Sequence, residues 1–148
     1  MNIGLSTAAF YGRWETEEAA EHLSDYGAAC AEAFLQTRGE MTAGFAADVR
    51  KRLNGVPCTS MHPKGTLFEN ELFGRSPRQR AEGWDAFQHA LDAAAELGVA
   101  YYVYHGWHSS TGNKIPFDAQ RNADVVGEMQ LRAAQRGIRI AWENVSWC

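Results

Sequence analysis

Cysteine is scarce in this chain and odd in number: Cys30, Cys58 and Cys148 are three of 148 residues. Their spacings match no metal-finger pair and two fall on expected strands. They therefore read as reduced, mostly buried thiols of a cytoplasmic protein rather than as a disulfide framework. No apolar run approaches the ~20 residues of a membrane-spanning helix. The N-terminus, MNIGLSTAAFYG, lacks the basic n-region and apolar h-region of a secretion signal. An excess of basic residues is also missing. Lys and Arg number 14 against 18 Asp and Glu, and the net charge of -4 offers no general attraction to nucleic-acid phosphates or to anionic membranes. Finally, LSTAAFYG contains no G-x-G-x-x-G, the phosphate loop that usually follows the first strand of a doubly wound nucleotide-binding sheet.

What is present suits a soluble globular domain: 45% hydrophobic and 22% charged residues, on a chain long enough to bury roughly 68–70% of its unfolded surface. Strand and helix patterns alternate. Met1 to Thr7 reads as a strand and Glu15 to Tyr26 as a helix with Ala19, Leu23 and Tyr26 on one face. Ala28 to Gln36 is a second strand, Thr42 to Asn54 a helix that Thr42 can cap, and Val56 to His62 a third strand. The loop PKGTLFENELFGR follows. Ser76 caps a helix with Pro77 at its first position, carrying Trp84, Phe87, Leu91 and Ala94 on one side and stopping at Gly98. A fourth strand ends at His105, a fourth helix runs from about Phe117 to Arg136, and a fifth strand covers Ile138 to Glu143. This alternation predicts right-handed crossovers and an all-parallel sheet.

Three strands share a further feature. Gly55 leads through VPCTSM to His62, Gly98 through VAYYVY to His105, and Gly137 through IRIAW to Glu143. A strand beginning just after each glycine and rising ~3.3 Å per residue delivers all three side chains to one end of the sheet. Parity agrees, because Ser60 shares a face with His62, Val103 with His105 and Ala141 with Glu143. The opposite faces carry Thr59 and Met61, Tyr102 and Tyr104, and Ile140 and Trp142, suited to packing under helices. Two imidazoles and a carboxylate at the carboxyl edge of parallel strands are the makings of a divalent metal site. Functional groups from successive strand ends point to a (β/α) barrel. The expected fold is thus α/β, a partial (β/α) TIM barrel of about five parallel strands and four helices, with residues 1–148 as one incomplete barrel domain. Eight units need about 250 residues, so either the chain is the N-terminal portion of a longer protein or a truncated fragment, or another chain completes it. The first two are favoured. Unpaired first and fifth strands make self-association an expectation.

The segments SMHPKG, YVYHGW and WENVSW resemble the xylose isomerase-like TIM-barrel superfamily, which holds sugar phosphate isomerases and epimerases and the endonuclease IV group. The resemblance covers essentially the whole chain. It implies that Glu143 is the metal-binding glutamate at the end of the fifth strand, and that His62 and His105 are metal ligands or substrate residues. The family's later aspartate, histidine and second glutamate have no counterpart here. The activity implied for a completed barrel is metal-dependent isomerisation or epimerisation of a sugar or sugar phosphate in carbohydrate metabolism. Mn2+, Mg2+ or Zn2+ would polarise a carbonyl while Glu143 acts as ligand and base.

Other residues carry two readings each. Glu32 is an inward acid that orients a ligand or forms a structural ion pair. Lys64 and Arg75 bracket the loop after His62 and either meet a substrate phosphate or solvate the loop. His108 either lines the pocket or is a solvated loop residue. Trp107, with Phe10, Tyr11 and Trp14, either stacks on a sugar or caps the core. His89 is expected to face solvent, and His22, flanking an apolar stripe, to be a surface or boundary residue. An endonuclease-like phosphodiesterase ranks well behind, because the loops PKGTLFENELFGR and GWHSSTGNKIPFD are nearly balanced in charge. A non-catalytic half-barrel binding module is the third class.

Overall fold

The computed structural model describes residues 3–64, 68–106 and 118–143. Within them five strands, β1 (Gly4–Ser6), β2 (Cys30–Leu35), β3 (Cys58–Pro63), β4 (Tyr101–Tyr104) and β5 (Arg139–Trp142), form one sheet in the order β1-β2-β3-β4-β5. Every pairing is parallel. Between them run α1 (Thr16–His22), α2 (Ala43–Arg52), α3 (Glu69–Leu72), α4 (Pro77–Leu97) and α5 (Ala119–Ala134). None of these helices is long and apolar enough to cross a membrane.

Local chemistry sets the element ends. Thr42 accepts a hydrogen bond from the Phe45 amide at 3.2 Å, Ser76 caps α4 ahead of Pro77, and Asp118 accepts from the Arg121 amide at 3.1 Å. Each such cap satisfies one orphan amide and contributes about 1 kcal/mol. At the far end of α4, Gly98 adopts φ 72°, a left-handed turn whose amide returns to the Ala94 and Ala95 carbonyls and aims the chain into β4.

One face of the sheet lies under the helices. Ala31, Ala33 and Leu35 of β2, Met61 of β3 and Tyr102 and Tyr104 of β4 are fully buried there. They pack with Val49 of α2 and with Phe87 and Leu91 of α4, whose Phe87 ring meets Tyr102 edge-on at 5.5 Å. The other face carries Ser6, Glu32, Phe34, Ser60 and His62. A one-residue irregularity between β2 and β3 matters here. Ala31 pairs with Cys58 but Glu32 pairs with Ser60, so Thr59 is the extra residue of a bulge. Beyond it Phe34 lies level with His62 and Leu35 with Pro63, which brings the polar residues of β3 into register with those of β2.

Three expectations are corrected. The segment after β3, expected as loop throughout, contains α3, so there are five α-helices rather than four among the described residues; Phe68, Leu72 and Phe73 are buried and drive the turn against α4. The first helix does not continue to Tyr26. It tightens at Leu23–Tyr26 into a 3-10 turn ending on Gly27, and Tyr26 is 55% exposed, its ring tilted against Phe10 at 5.2 Å. Trp142 is not covered by a helix but 44% exposed, its ring edge-on to Tyr104 at 4.9 Å, because β5 pairs on one side only among the described residues.

Candidate metal centre

Each of the three convergent side chains is delivered by a strand end. His62 is the penultimate residue of β3, and His105 and Glu143 are the first residues after β4 and β5. Backbone pairing continues past the last strand, with the Glu143 amide donating to the Tyr104 carbonyl at 2.8 Å. The side chains of His62 and His105 are 12% and 15% exposed, and that of Glu143 is 44% exposed. Their nearest atoms form a triangle: His62 Nε2 to His105 Nε2 2.8 Å, His105 Nε2 to Glu143 Oε2 3.1 Å, and His62 Nε2 to Glu143 Oε2 3.8 Å. A tetrahedral Zn2+ with bonds of ~2.0–2.1 Å sets its ligand atoms about 3.3 Å apart, so the triangle brackets that spacing. The donor set, two imidazoles and one carboxylate, fits a divalent metal ion.

Beneath the triangle lies a polar layer. Ser6, Glu32 and Ser60 are level with one another on β1, β2 and β3. Ser60 Oγ donates to Glu32 Oε2 at 3.3 Å, and Glu32 Oε1 lies 3.9 Å from His62 Nδ1, an ion-pair separation longer than a hydrogen bond. The His62 ring holds the Glu32 carboxyl below its ordinary range, helped by the Ser6 and Ser60 hydroxyls against the opposing effect of burial. Above Glu32, the Phe34 ring meets His62 edge-on at 5.1 Å.

The remaining candidates are spread more widely. Lys64 follows β3 directly, its amide bonded to the Leu35 carbonyl at 2.8 Å and its ammonium 5.8 Å from the Tyr11 ring. Tyr11 and Trp14 line a cavity of about 340 Å³ with Arg13, Glu15 and Gln36. Arg75 is exposed just before α4, where its carbonyl accepts from Arg80. His22 stacks on Trp14 at 4.4 Å, and His89 is exposed beside Asp85. Trp107 and His108 lie outside the described residues. A larger groove of about 640 Å³, between Arg38, Met41 and Thr42 on one side and residues 81–89 of α4 on the other, shares no residue with the triangle.

Sequence reasoning missed two buried acids. Glu40 accepts from the Thr16 hydroxyl at 2.8 Å, the Gln36 amide at 2.8 Å and the Thr37 hydroxyl at 3.0 Å, and so braces the carboxyl end of β2. Glu69, 1% exposed on α3, lies behind the sheet with its Oε1 3.5 Å from the Tyr102 hydroxyl. Neither has a periodic signal, since each depends on chain folded back over it.

No family model matches the sequence, and no curated protein does. Among solved structures the chain is similar to D-psicose 3-epimerase with D-tagatose from Clostridium cellulolyticum, at a TM-score of 0.74 and 17% identity over 96% of this chain and 52% of that one. It is similar to 3-keto-D-glucoside 4-epimerase from E. coli at 0.70 and 16%, over 99% and 57%. It is also similar to a Thermus thermophilus protein soaked with ZnCl2 at 0.72 and 24%, over 99% and 57%. The chain spans about half the length of the solved structures it resembles.

Proposed function

Since the chain has the xylose isomerase-like TIM-barrel fold over about half the length of such barrels, we propose that it supplies the metal-binding half of a divalent-metal-dependent isomerase or epimerase acting on a sugar or sugar phosphate. The observation that carries this reading is the meeting of His62, His105 and Glu143 ligand atoms within 4.8 Å of one another. The names of the neighbours, epimerases of a free ketose and of a ketoglucoside, favour a carbonyl-bearing sugar. His62 and His105 would hold the ion through Nε2 and Glu143 through Oε2. With two nitrogen donors the set favours Zn2+ over Mn2+ or Mg2+.

A divalent ion held there supplies Lewis-acid polarisation of the substrate carbonyl and its neighbouring hydroxyl. Glu143, the most open of the three, reaches the inner face of the sheet and takes the carbon-bound proton beside that carbonyl. The low exposure of the two histidine rings limits competing water at the metal. Lys64 and the Tyr11/Trp14 cavity stand at the same sheet edge and bind the rest of the sugar, the cation meeting a phosphate where one is present and the rings packing on a sugar face.

Isothermal titration with Zn2+ and Mn2+, followed by NMR of ketoses and ketose phosphates in D2O, tests the reading. One ion per chain, lost in His105→Ala, and, once the barrel is completed, metal-dependent deuterium at the carbon next to the carbonyl are expected. Failure to bind either cation would overturn the metal site, and a completed barrel that binds without exchange would be a binding module.

A further inference from the structure

We propose that Glu32 is the positioning residue of His62, its carboxylate facing Nδ1 as an ion-pair partner so that Nε2 is presented as a bare acceptor toward His105 and Glu143. This deepens the metal-site reading and rests on it. Glu32 is oriented inside the sheet: Oε2 accepts from Ser60 Oγ at 3.3 Å, and Oε1 faces His62 Nδ1 at the ion-pair separation of 3.9 Å. Ser6 and Ser60 flank Glu32 on the adjacent strands at the same level, and Ser6 Oγ is itself fixed by the Ala8 amide at 3.2 Å. The carboxylate is thus part of a fixed layer, one step below the ligand ring and turned toward it rather than toward substrate.

The two nitrogens of an imidazole are coupled, because the partner of one decides where the proton sits and which lone pair is free. A carboxylate facing Nδ1 keeps the proton there. His62 Nε2 then has only a lone pair, and across the 2.8 Å Nε2 to Nε2 contact it is His105 that donates. Phe34 packs edge-on against the ring at 5.1 Å from the neighbouring position on β2. Acids placed behind a metal-ligating histidine in this way raise its basicity, and their loss typically costs 10- to 100-fold in metal affinity.

The test uses the full chain with Glu32→Gln, which keeps shape and removes charge. In the metal-free wild type, long-range 1H–15N spectra should place the neutral His62 in the Nδ1–H form, and in the variant the Nε2–H form should gain. Zn2+ affinity measured by titration should fall 10- to 100-fold with the stoichiometry unchanged. Ser60→Ala, which removes only the donor to Oε2, should shift both readouts in the same direction by less, and keeps the test open if Glu32→Gln fails to fold. A wild-type tautomer balance in Glu32→Gln together with Zn2+ affinity within twofold would overturn the proposal. If the tautomer shifts but neither protein binds Zn2+, the metal reading fails while the positioning of His62 stands.

Discussion

Glu143 and Glu69 are carboxylates in opposite surroundings, one beside two imidazoles at an open sheet edge and one sealed behind the sheet. Replacing Glu143 with Gln removes the charged ligand and the base, so Zn2+ binding should weaken sharply and proton exchange by the completed barrel should fall ~100- to 10,000-fold. Because the side chain is 44% exposed, the melting temperature should hardly move; a metal-replete, active Gln variant would defeat the assignment. Glu69 behaves differently. Burial raises its carboxyl well above the ordinary 4.5, so above that value the unfolded chain releases a proton that the folded chain keeps. Stability from this group is therefore fullest below the unfolded value and declines as pH rises toward the folded one. Urea unfolding at pH 5, 6 and 7 should show this decline in the wild type and a shallower one in Glu69→Gln, and parallel slopes would contradict it. The contrast also marks what a sequence reveals. His62, His105 and Glu143 stand out because each follows a helix-ending glycine at nearly equal distance, whereas Glu69 sits in a stretch rich in loop-forming residues and becomes an interior acid only when α4 closes over it.

At the scale of elements, the strands and main helices follow from periodicity and caps, while α3 and the bulge at Thr59 depend on contacts that no local pattern encodes. Gly83 and Gly127 turn this into a pair of measurements. A Cβ on Gly83 would lie 3.0 Å from Glu71 Cβ and 3.1 Å from the Leu72 amide nitrogen, so α4 needs the bare backbone to seat α3. Gly83→Ala should destabilise by about 1–3 kcal/mol despite its better helix propensity, since backbone cannot yield as a side-chain tip can. On α5, a Cβ at Gly127 meets nothing within 4 Å. Gly127→Ala should therefore stabilise by up to ~1 kcal/mol. Equal signs in chemical denaturation would show that α3 is not packed as described.

At the scale of the whole molecule, β1 and β5 each pair on one side among the described residues, and Ile3 and Trp142 are 58% and 44% exposed at those edges. Unpaired amides beside apolar rings recruit partners, so light scattering should find mass rising with concentration and an apolar dye should bind; a dye-silent monomer throughout would refute this. The strand order has another consequence. Among the described residues each strand is hydrogen-bonded only to those immediately before and after it in the chain, so no early segment there must wait for a distant one. Assembly can then proceed vectorially, each new strand adding to a template already laid down, as on an emerging nascent chain. Native-state hydrogen exchange should find strong protection at β2 and β3, which have neighbours on both sides, and weaker protection at β1 and β5.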